Sequence, residues 1–495
     1  MPVTSMHKDY AQMAARWMKC RDVYDGSHAV KQRGEMYLPA VGDHQSNSRK
    51  YASYKLRALF FNAMRRTVQG LTGAIFQKEL THTAPELDKD LSDVTLTSMS
   101  LEMFALHATR EVFIVGRHGI LIDMAANGRP YWVPCQCEDI ISWRTARVGG
   151  DEIITLVVLR ETVEVEDPTD PFVMHDELQY RVLLLEGISS KAPIYKQRVY
   201  RQDAKSKEWE VTSEVVPTRR GKPLSRIPFV PVGPDGVNID IQRPPLEDVA
   251  DINISHYQSM ADLEWGRHFT ALPTPWVAGH AGKAENKLSI GSGVAWKLTE
   301  GGRAGMLEFT GKGLSELREA DEQKRKLMAT LGARLLEDQP RAQETATAVG
   351  MRHAGEHATL RTIAQSVEQA LTYALSWHAW WGSTAEQPSD MDTGVELNKD
   401  FLNIKASPEE IKAALLLWQS GAISYQGFYS LLQRGEWSEP GIDADTEKKR
   451  IEKEGEEASS GAMPPIDDEP EPDDDDELDD DENEPDDEDD TDGDR

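Results

Sequence analysis

Cysteine is scarce in this chain of 495 residues, which contains only three. A scaffold held together by disulfides is excluded, because Cys20 stands alone and Cys135 and Cys137 are separated by a single residue. Long hydrophobic runs are also missing: no stretch of 18 apolar residues occurs, so we expect no membrane-spanning helix. The first residues lack the apolar segment of a signal peptide. We therefore expect synthesis and assembly in a reducing cytoplasm.

Positively charged residues are also few: the chain has 55 Lys and Arg against 85 Asp and Glu, which gives a formal net charge of −30. Most of this imbalance is local: residues 451–495 contain 25 acidic and 2 basic residues. The remaining 450 residues are nearly balanced, with 60 acidic and 53 basic. A grip on nucleic acid along the whole body is therefore not expected. Beyond about Asp443 the composition of Glu, Asp, Pro and Ser predicts a segment that does not fold.

Motifs of enzymes are few. The chain has neither a phosphate-binding GxxxxGK[ST] loop nor a serine nucleophile elbow. His353, Glu356 and His357 match the HxxEH pattern of inverted zinc peptidases, in which two His four residues apart share one helix face. Gly355 weakens a helix there, and no third ligand stands out downstream. We predict a protein that is not an enzyme and needs no cofactor or metal, with a zinc peptidase as an alternative.

Hydrophobic periodicity predicts a mixture of helices and strands. The predicted helices cover residues 51–75, Leu101–Val115, 246–271, 314–336, 345–381, 407–420 and 424–435. The predicted strands cover residues 153–159, 180–185, 194–200, 209–212, 227–232, 294–298 and 306–309, with a hairpin turn at 149–150. Cys135 and Cys137 lie in a strand-like stretch and are expected to be buried. The fold class that follows is α+β.

Several short stretches between about residues 10 and 440 form a pattern that can be compared with known families. They include Trp17, Asp22, Gly26, 30–31, Gly34, 37–39, 51–58, 61–62, 65–71, 227–231, 245–250, 344–347, 421–424 and 432–436. Together these stretches resemble the portal proteins of tailed bacteriophages, in a subgroup known by an uncharacterised-domain name. The acidic tail lies outside the resemblance.

The resemblance implies a portal-protein fold, with a mainly helical stem and crown, a mixed α/β wing and a small α/β clip. It also implies a closed ring of about twelve subunits at one capsid vertex. The implied regions are a wing at 1–245 (helical, then β-rich), a first stem helix at 246–271, a clip at 272–311, a second stem helix at 312–336, a tunnel loop at 337–347, a long helix and return through the wing at 345–406, a crown at 407–440 and an acidic disordered tail at 441–495.

Charges in the expected stem agree with a channel through which DNA slides, because acidic walls repel phosphates and narrow basic bands centre the duplex. The acidic candidates for the channel wall are Asp248, Asp251, Asp262 and Glu264. The candidates for contact with DNA are Arg341, Gln343, Lys324, Arg325 and Lys326. Three consecutive residues of a helix cannot all face the channel, so one or two of Lys324, Arg325 and Lys326 are expected there. Neighbouring subunits or solvent are the alternative partners of all these charges.

The expected function is a conduit for double-stranded DNA during packaging and ejection, located at the portal vertex of the virion. Its implied partners are other copies of the chain, the large terminase subunit, a head–tail adaptor, and the major capsid and scaffold proteins. Another ring-forming component of the head–tail connection is the nearest alternative, although such adaptors are usually shorter. A chaperone of basic proteins with an acidic tail is a further one.

Overall fold

The computed structural model describes most of the chain. The described residues are 2–40, 48–84, 87–148, 150–167, 169–188, 193–203, 205–270, 274–280, 296–307, 312–333, 358–399, 401, 408–434, 437–438 and 442–459. They fall into two compact units, Met1–Phe401 and Leu402–Arg495. The fold is mixed α and β, as predicted from the sequence.

Both units contain helices, and the strands of the described residues lie in the first unit. The helices are α1 (Lys8–Asp25), α2 (Ser27–Gln32), α3 (Ser48–Arg57), α4 (Ala63–Ile75), α5 (Asp88–Leu91), α6 (Leu101–Val115), α7 (Glu247–Thr270), α8 (Lys312–Ala333), α9 (Ala358–Gly382), α10 (Pro408–Gln419), α11 (Tyr425–Arg434) and α12 (Ala444–Ser459). The strands are β1 (Thr81–Thr83), β2 (His118–Met124), β3 (Pro130–Gln136), β4 (Ile140–Val148), β5 (Asp151–Asp167), β6 (Asp170–Glu186), β7 (Ile194–Gln202), β8 (Trp209–Val215), β9 (Thr218–Arg219), β10 (Lys222–Pro223), β11 (Phe229–Val232), β12 (Thr274–His280), β13 (Leu298–Leu307) and β14 (Gly394–Glu396).

The prediction of one helix over 51–75 is wrong in one respect, because the structure has two helices there, α3 and α4, separated by residues 58–62. Two asparagines hold the new helix start. Asn62 Oδ1 accepts from the backbone N–H of Arg65 at 2.9 Å, as a local N-cap. Asn253, on α7, accepts from the N–H groups of Ala63 and Met64 at 3.1 and 3.3 Å. The amides of Met64 and Arg65 therefore take side-chain partners at the helix start, and the Ala63 amide is shared between Asn253 and the Phe61 carbonyl at 2.9 Å.

Helix α6 has the bounds that the sequence predicts. Ser100 Oγ accepts from the N–H of Met103, which caps the start. Gly116 ends the helix in the left-handed conformation, with φ of 71°. This φ favours glycine because it lacks a Cβ.

Two antiparallel sheets form the β-rich part of the first unit. The smaller has the order β11-β2-β3, and the larger has the order β4-β5-β6-β7-β8. All five strands predicted between residues 153 and 232 are present. Strands β4 and β5 pair as far as Val148 and Asp151, so the hairpin predicted at 149–150 is confirmed.

Strands β5 and β6 are each 17 residues long and extend beyond their neighbours. Strand β4 pairs with β5 only as far as Leu159, and β7 pairs with β6 only from Gln179 onwards. Residues 162–167 and 170–178 therefore pair with each other alone. We call this projecting two-stranded segment the β-ribbon.

The segment after residue 246 has the element order expected from the sequence: helix, small β segment, helix. Helices α7 and α8 agree with the predicted helices within a few residues. The β segment between them is an antiparallel pair, β12 and β13. Its first strand, which begins at Thr274 and includes Pro275, was not predicted. A two-stranded hairpin has free edges, and proline is tolerated on such edges because it needs no donor there. The two short strands predicted at 294–298 and 306–309 are wrong for the described residues, because β13 is a single strand over Leu298–Leu307.

Helix α9 is the described part of the helix predicted over 345–381, and residues 345–357 lie outside the described part of the chain. Leu360, Ile363, Val367 and Leu371 are buried on one side of it, as the periodicity predicts. Its last turns place the cluster of Trp377, Trp380 and Trp381 against the rest of the first unit. Trp380 and Trp381 are buried, so the helix end packs as part of the core.

All three thiols are free and buried. Cys135 lies on β3, whereas Cys137 begins a short 3₁₀ turn at Cys137–Asp139. The prediction that both lie in one strand is therefore wrong. Burial raises the pKa of Cys20 to about 12 and raises the pKa of the other two thiols. The burial predicted for Cys135 and Cys137 is confirmed.

The second unit contains helices α10 and α11, as predicted, and a third helix that was not. Asp443 caps α12 by accepting from the N–H groups of Asp445 and Thr446 at 2.9 and 2.8 Å. The prediction that nothing folds beyond Asp443 is therefore wrong for residues 444–459. This stretch is rich in Ala, Glu and Lys, which favour helix, and the almost purely acidic run begins only after it.

Candidate functional site: the paired helices

Helices α7 and α8 pack against each other in antiparallel orientation. Near one end Gly266 lies against Leu314, since a Cβ on this glycine would be 2.5 Å from Leu314 Cδ2. Further along, His256 of α7 lies against Asp321 and Arg325 of α8. At about 1.5 Å per residue the two helices are about 36 and 33 Å long. The β12–β13 hairpin lies between them in the chain, and we treat α7, this hairpin and α8 as one module.

A buried ionisable group joins the two helices. His256 Nε2 lies 2.9 Å from Asp321 Oδ1, and the two side chains are 1% and 4% exposed. Arg325 Nε is 3.2 Å from Asp321 Oδ2 and donates to His256 Nε2 at 3.0 Å. Burial lowers the pKa of His256, Asp321 opposes this shift, and Arg325 adds to it. At neutral pH the imidazole is therefore uncharged, and Arg325 is the cation beside Asp321.

The three basic candidates on α8 have different surroundings. Lys324 Nζ donates to the carbonyl of Ser255 at 3.0 Å and to the hydroxyl of Ser259, both on α7. Arg325 faces the buried pair described above. Lys326 is exposed, and its ammonium group has no hydrogen bond or ion pair among the described residues. Of the three, Lys326 is the one whose ammonium group has no such partner among the described side chains, and a role in DNA contact stays a prediction for all three.

The N-terminal turn of α7 contains a buried carboxylate that sequence reasoning did not single out. Glu247 is 4% exposed and faces Arg16 and Lys19 of α1 and Arg243. The hydrogen bond from Arg16, with help from Arg243 and Lys19, lowers the pKa of Glu247 to about 2. Glu247 therefore stays ionised and fastens α7 to α1.

The four acidic candidates on α7 all have partners within the chain. Asp248 pairs with Arg243, and Asp251 pairs with Lys19. Asp262 accepts from the hydroxyl of Tyr54 at 2.6 Å, and Glu264 pairs with Arg267 at 2.6 Å. Burial, followed by the hydrogen bond to Asp262, raises the pKa of Tyr54. Partial neutralisation by these neighbours weakens the field that the carboxylates would project, and their place on a channel wall stays a prediction.

Several predicted residues lie outside the described part of the chain. They are Arg341, Gln343, the tunnel loop at 337–347, and His353, Glu356 and His357 of the HxxEH pattern. Within the described residues, no group of three or more His, Cys, Asp or Glu could hold a metal ion. None of the helices in that part of the chain is long and apolar enough to cross a membrane.

The pairing of His256 with Asp321 has no signal in the sequence that could have revealed it. His256 and Asp321 are polar residues on two different helices. The periodicity of each helix does not specify how the two helices are rotated about their axes, so it cannot predict which side chains meet. The sequence could indicate only that Glu247 is favourable at a helix start, where a negative charge complements the helix dipole. Its burial depends on α1, which lies more than 200 residues earlier in the chain.

A family model described as a domain of unknown function (DUF4055) matches residues 245–382, which include α7, the β12–β13 hairpin, α8 and α9. This match covers less than a third of the chain. No curated protein matches the sequence.

Some solved structures resemble the chain at low identity. A chain in the virion of a native gene transfer agent particle has 12% sequence identity and a TM-score of 0.37, covering 77% of this chain and 92% of that one. A chain in the neck of an empty particle, computed with C6 symmetry, has the same values. A chain in the neck of a native particle, computed with C12 symmetry, has 12% identity and a TM-score of 0.32, covering 75% and 89%. These identities and TM-scores are too low to assign a role to this chain, so a functional proposal must be argued from its own residues.

Proposed function

We propose that this protein is a phage portal protein: a ring-forming component of the head–tail connection of a virion that conducts double-stranded DNA during packaging and ejection. In this proposal it is not an enzyme. It docks the terminase during packaging and the adaptor or tail afterwards, and it contacts major capsid and scaffold proteins at one vertex. Assembly takes place in the cytoplasm of the host bacterium.

The observation that carries the proposal is the module of α7, the β12–β13 hairpin and α8. The sequence resemblance to portal proteins implies two stem helices joined by a small clip at these positions. The described helices have the lengths, order and antiparallel packing that such a stem requires. Arg325 pairs with Asp321 on its own helix and donates to His256 of α7, and Lys324 donates to Ser255 and Ser259, so these bonds hold α7 and α8 together as one rod, which suits the wall of a channel.

The charges of this rod also suit a conduit. Most ionisable groups among the described side chains of α7 and α8 have partners within the chain, so this described part of the rod offers few free cations that could hold phosphates tightly. Lys326 is exposed on α8 and is the described residue that we assign to the DNA path. Repeated around a ring, it would form one band of positive charge that centres the duplex without reading its sequence.

The assignment of Lys326 is tested by charge reversal. We expect Lys326→Glu to leave ring formation unchanged and to lower the DNA content of particles assembled with the variant. Lys205→Glu is the matched control, since Lys205 is an exposed lysine in the turn between β7 and β8. The DNA content per particle is measured together with the ring yield. Normal DNA content with Lys326→Glu would remove this residue from the DNA path.

A zinc peptidase is the alternative from a different class, and its three candidate residues lie outside the described part of the chain. Metal analysis of the purified protein distinguishes the two proposals. The portal proposal predicts no stoichiometric zinc, whereas one zinc per chain, lost in His353→Ala, would favour the peptidase.

A further inference from the structure

The β-ribbon presents an unusual outer face. On the exposed face of β5 lie Thr162, Glu164 and Glu166, which are paired across the ribbon with Leu178, Asp176 and Met174. Directly opposite residues project on the same side of an antiparallel pair. Phe172 lies two residues before Met174, so it extends the same face, and it is 93% exposed. One side of the ribbon therefore combines three carboxylates with three exposed apolar side chains.

This face is electrostatically unfavourable in an isolated chain. Glu164 lies directly opposite Asp176, and like charges in that position destabilise a strand pair. Residues 161–180 contain seven acidic residues and neither lysine nor arginine. Glu164, Glu166 and Asp176 make no ion pair among the described residues. A two-stranded ribbon is also marginal without a packing partner. Both features indicate a surface that is completed by a basic partner with apolar contacts.

Helix α3 offers the complementary surface. Its sequence, residues 48–57, contains Arg49, Lys50, Lys55 and Arg57 and no acidic residue. Its outward stripe consists of Arg49, Ala52 and Leu56, at helical spacing. Leu56 is 78% exposed, and Leu59, just after the helix, is 56% exposed. The small Ala52 side chain between these residues permits a strand pair to approach closely.

We propose that the outer face of the β-ribbon of one copy docks on helix α3 of the next copy. In this contact Glu164, Glu166 and Asp176 face the basic end of the stripe, and Phe172 and Met174 cover Leu56. The two surfaces differ from each other, so the contact is head-to-tail, and a head-to-tail contact generates a ring when its rotation closes. This inference rests on the proposed ring and names the surfaces that join its subunits.

The contact is tested by cross-linking the full chain with Met174→Cys and Leu56→Cys introduced together. The three native thiols are buried, so a short bis-maleimide applied to the folded protein should spare them. We expect a ladder of covalent multimers on a denaturing gel for the double variant and none for either single variant. The matched control combines Leu56→Cys with Val215→Cys, an exposed position on the edge strand β8, and should give no ladder.

A reciprocal charge exchange tests the proposed complementarity. In the cross-linking background, Glu164→Lys should lower the ladder yield several-fold, because it brings a cation towards a basic helix. Adding Arg49→Glu should restore the yield, which a general loss of folding would not allow.

The outcomes separate this inference from the proposed function. Intact rings that give no ladder would overturn the ribbon–helix contact and leave the ring in place. A ladder in the control pair as strong as in the test pair would overturn it as well. A chain that remains monomeric and gives no ladder would overturn both the contact and the portal proposal.

Discussion

Glu247 holds the start of the long helix α7 against α1. It is the buried anion shared by Arg16, Lys19 and Arg243, so an uncharged side chain at this position removes the shared counter-charge of three cations. We expect Glu247→Gln to lower the free energy of unfolding at pH 7 by about 3 kcal/mol, the value that corresponds to its pKa shift. Denaturant unfolding of the two proteins measures this difference.

The pH dependence of this effect has a definite sign. The folded pKa of Glu247 is about 2 and its ordinary value is 4.5, so the unfolded chain binds the proton more readily. The stabilisation is therefore complete above pH 4.5 and is lost as the pH falls from 4.5 towards 2. The difference between the native chain and Glu247→Gln should shrink over that window. Glu264→Gln, which breaks a surface pair with Arg267, should cost about 0.5 kcal/mol or less. Equal losses for the two variants would contradict this account.

At the scale of elements, α4 depends on a residue of α7. Asn253 accepts from the N–H groups of Ala63 and Met64 and donates to the carbonyl of Phe61 at 2.8 Å. Asn253→Ala removes the acceptor of the buried Met64 N–H and leaves the Ala63 N–H only its bond to the Phe61 carbonyl at 2.9 Å, which should cost about 2 kcal/mol. The amides of Ala63 and Met64 should also exchange with solvent faster, as measured by hydrogen exchange. Asn238→Ala, at an exposed turn, is the control and should change stability by about 0.5 kcal/mol or less.

The elements also show what could be predicted from the sequence. The bounds of α6 follow from its capping Ser100 and from Gly116, and Pro273 predicts the end of α7, and these signals are local. The break between α3 and α4 could not be predicted, because the apolar spacing runs through it and Asn253 supplies its partner from almost 200 residues away. For the candidate site, the basic and acidic positions of α7 and α8 were found by composition. Their pairing was not, since the rotation of two helices is a tertiary property.

At the scale of the whole molecule, the central claim is that copies of this chain close into a ring around a channel. The rod of α7 and α8 and the unpartnered β-ribbon are the two features of one subunit that such an assembly would complete. The acidic excess of the molecule lies mostly in residues 451–495, so the body is close enough to neutral for subunits to associate at physiological salt.

Electron microscopy of the purified full-length protein at micromolar concentration and physiological salt tests this claim most directly. The account predicts closed rings of about twelve subunits with cyclic symmetry and a central hole wide enough for duplex DNA. A stable monomer, or an oligomer without a hole through its centre, would contradict it.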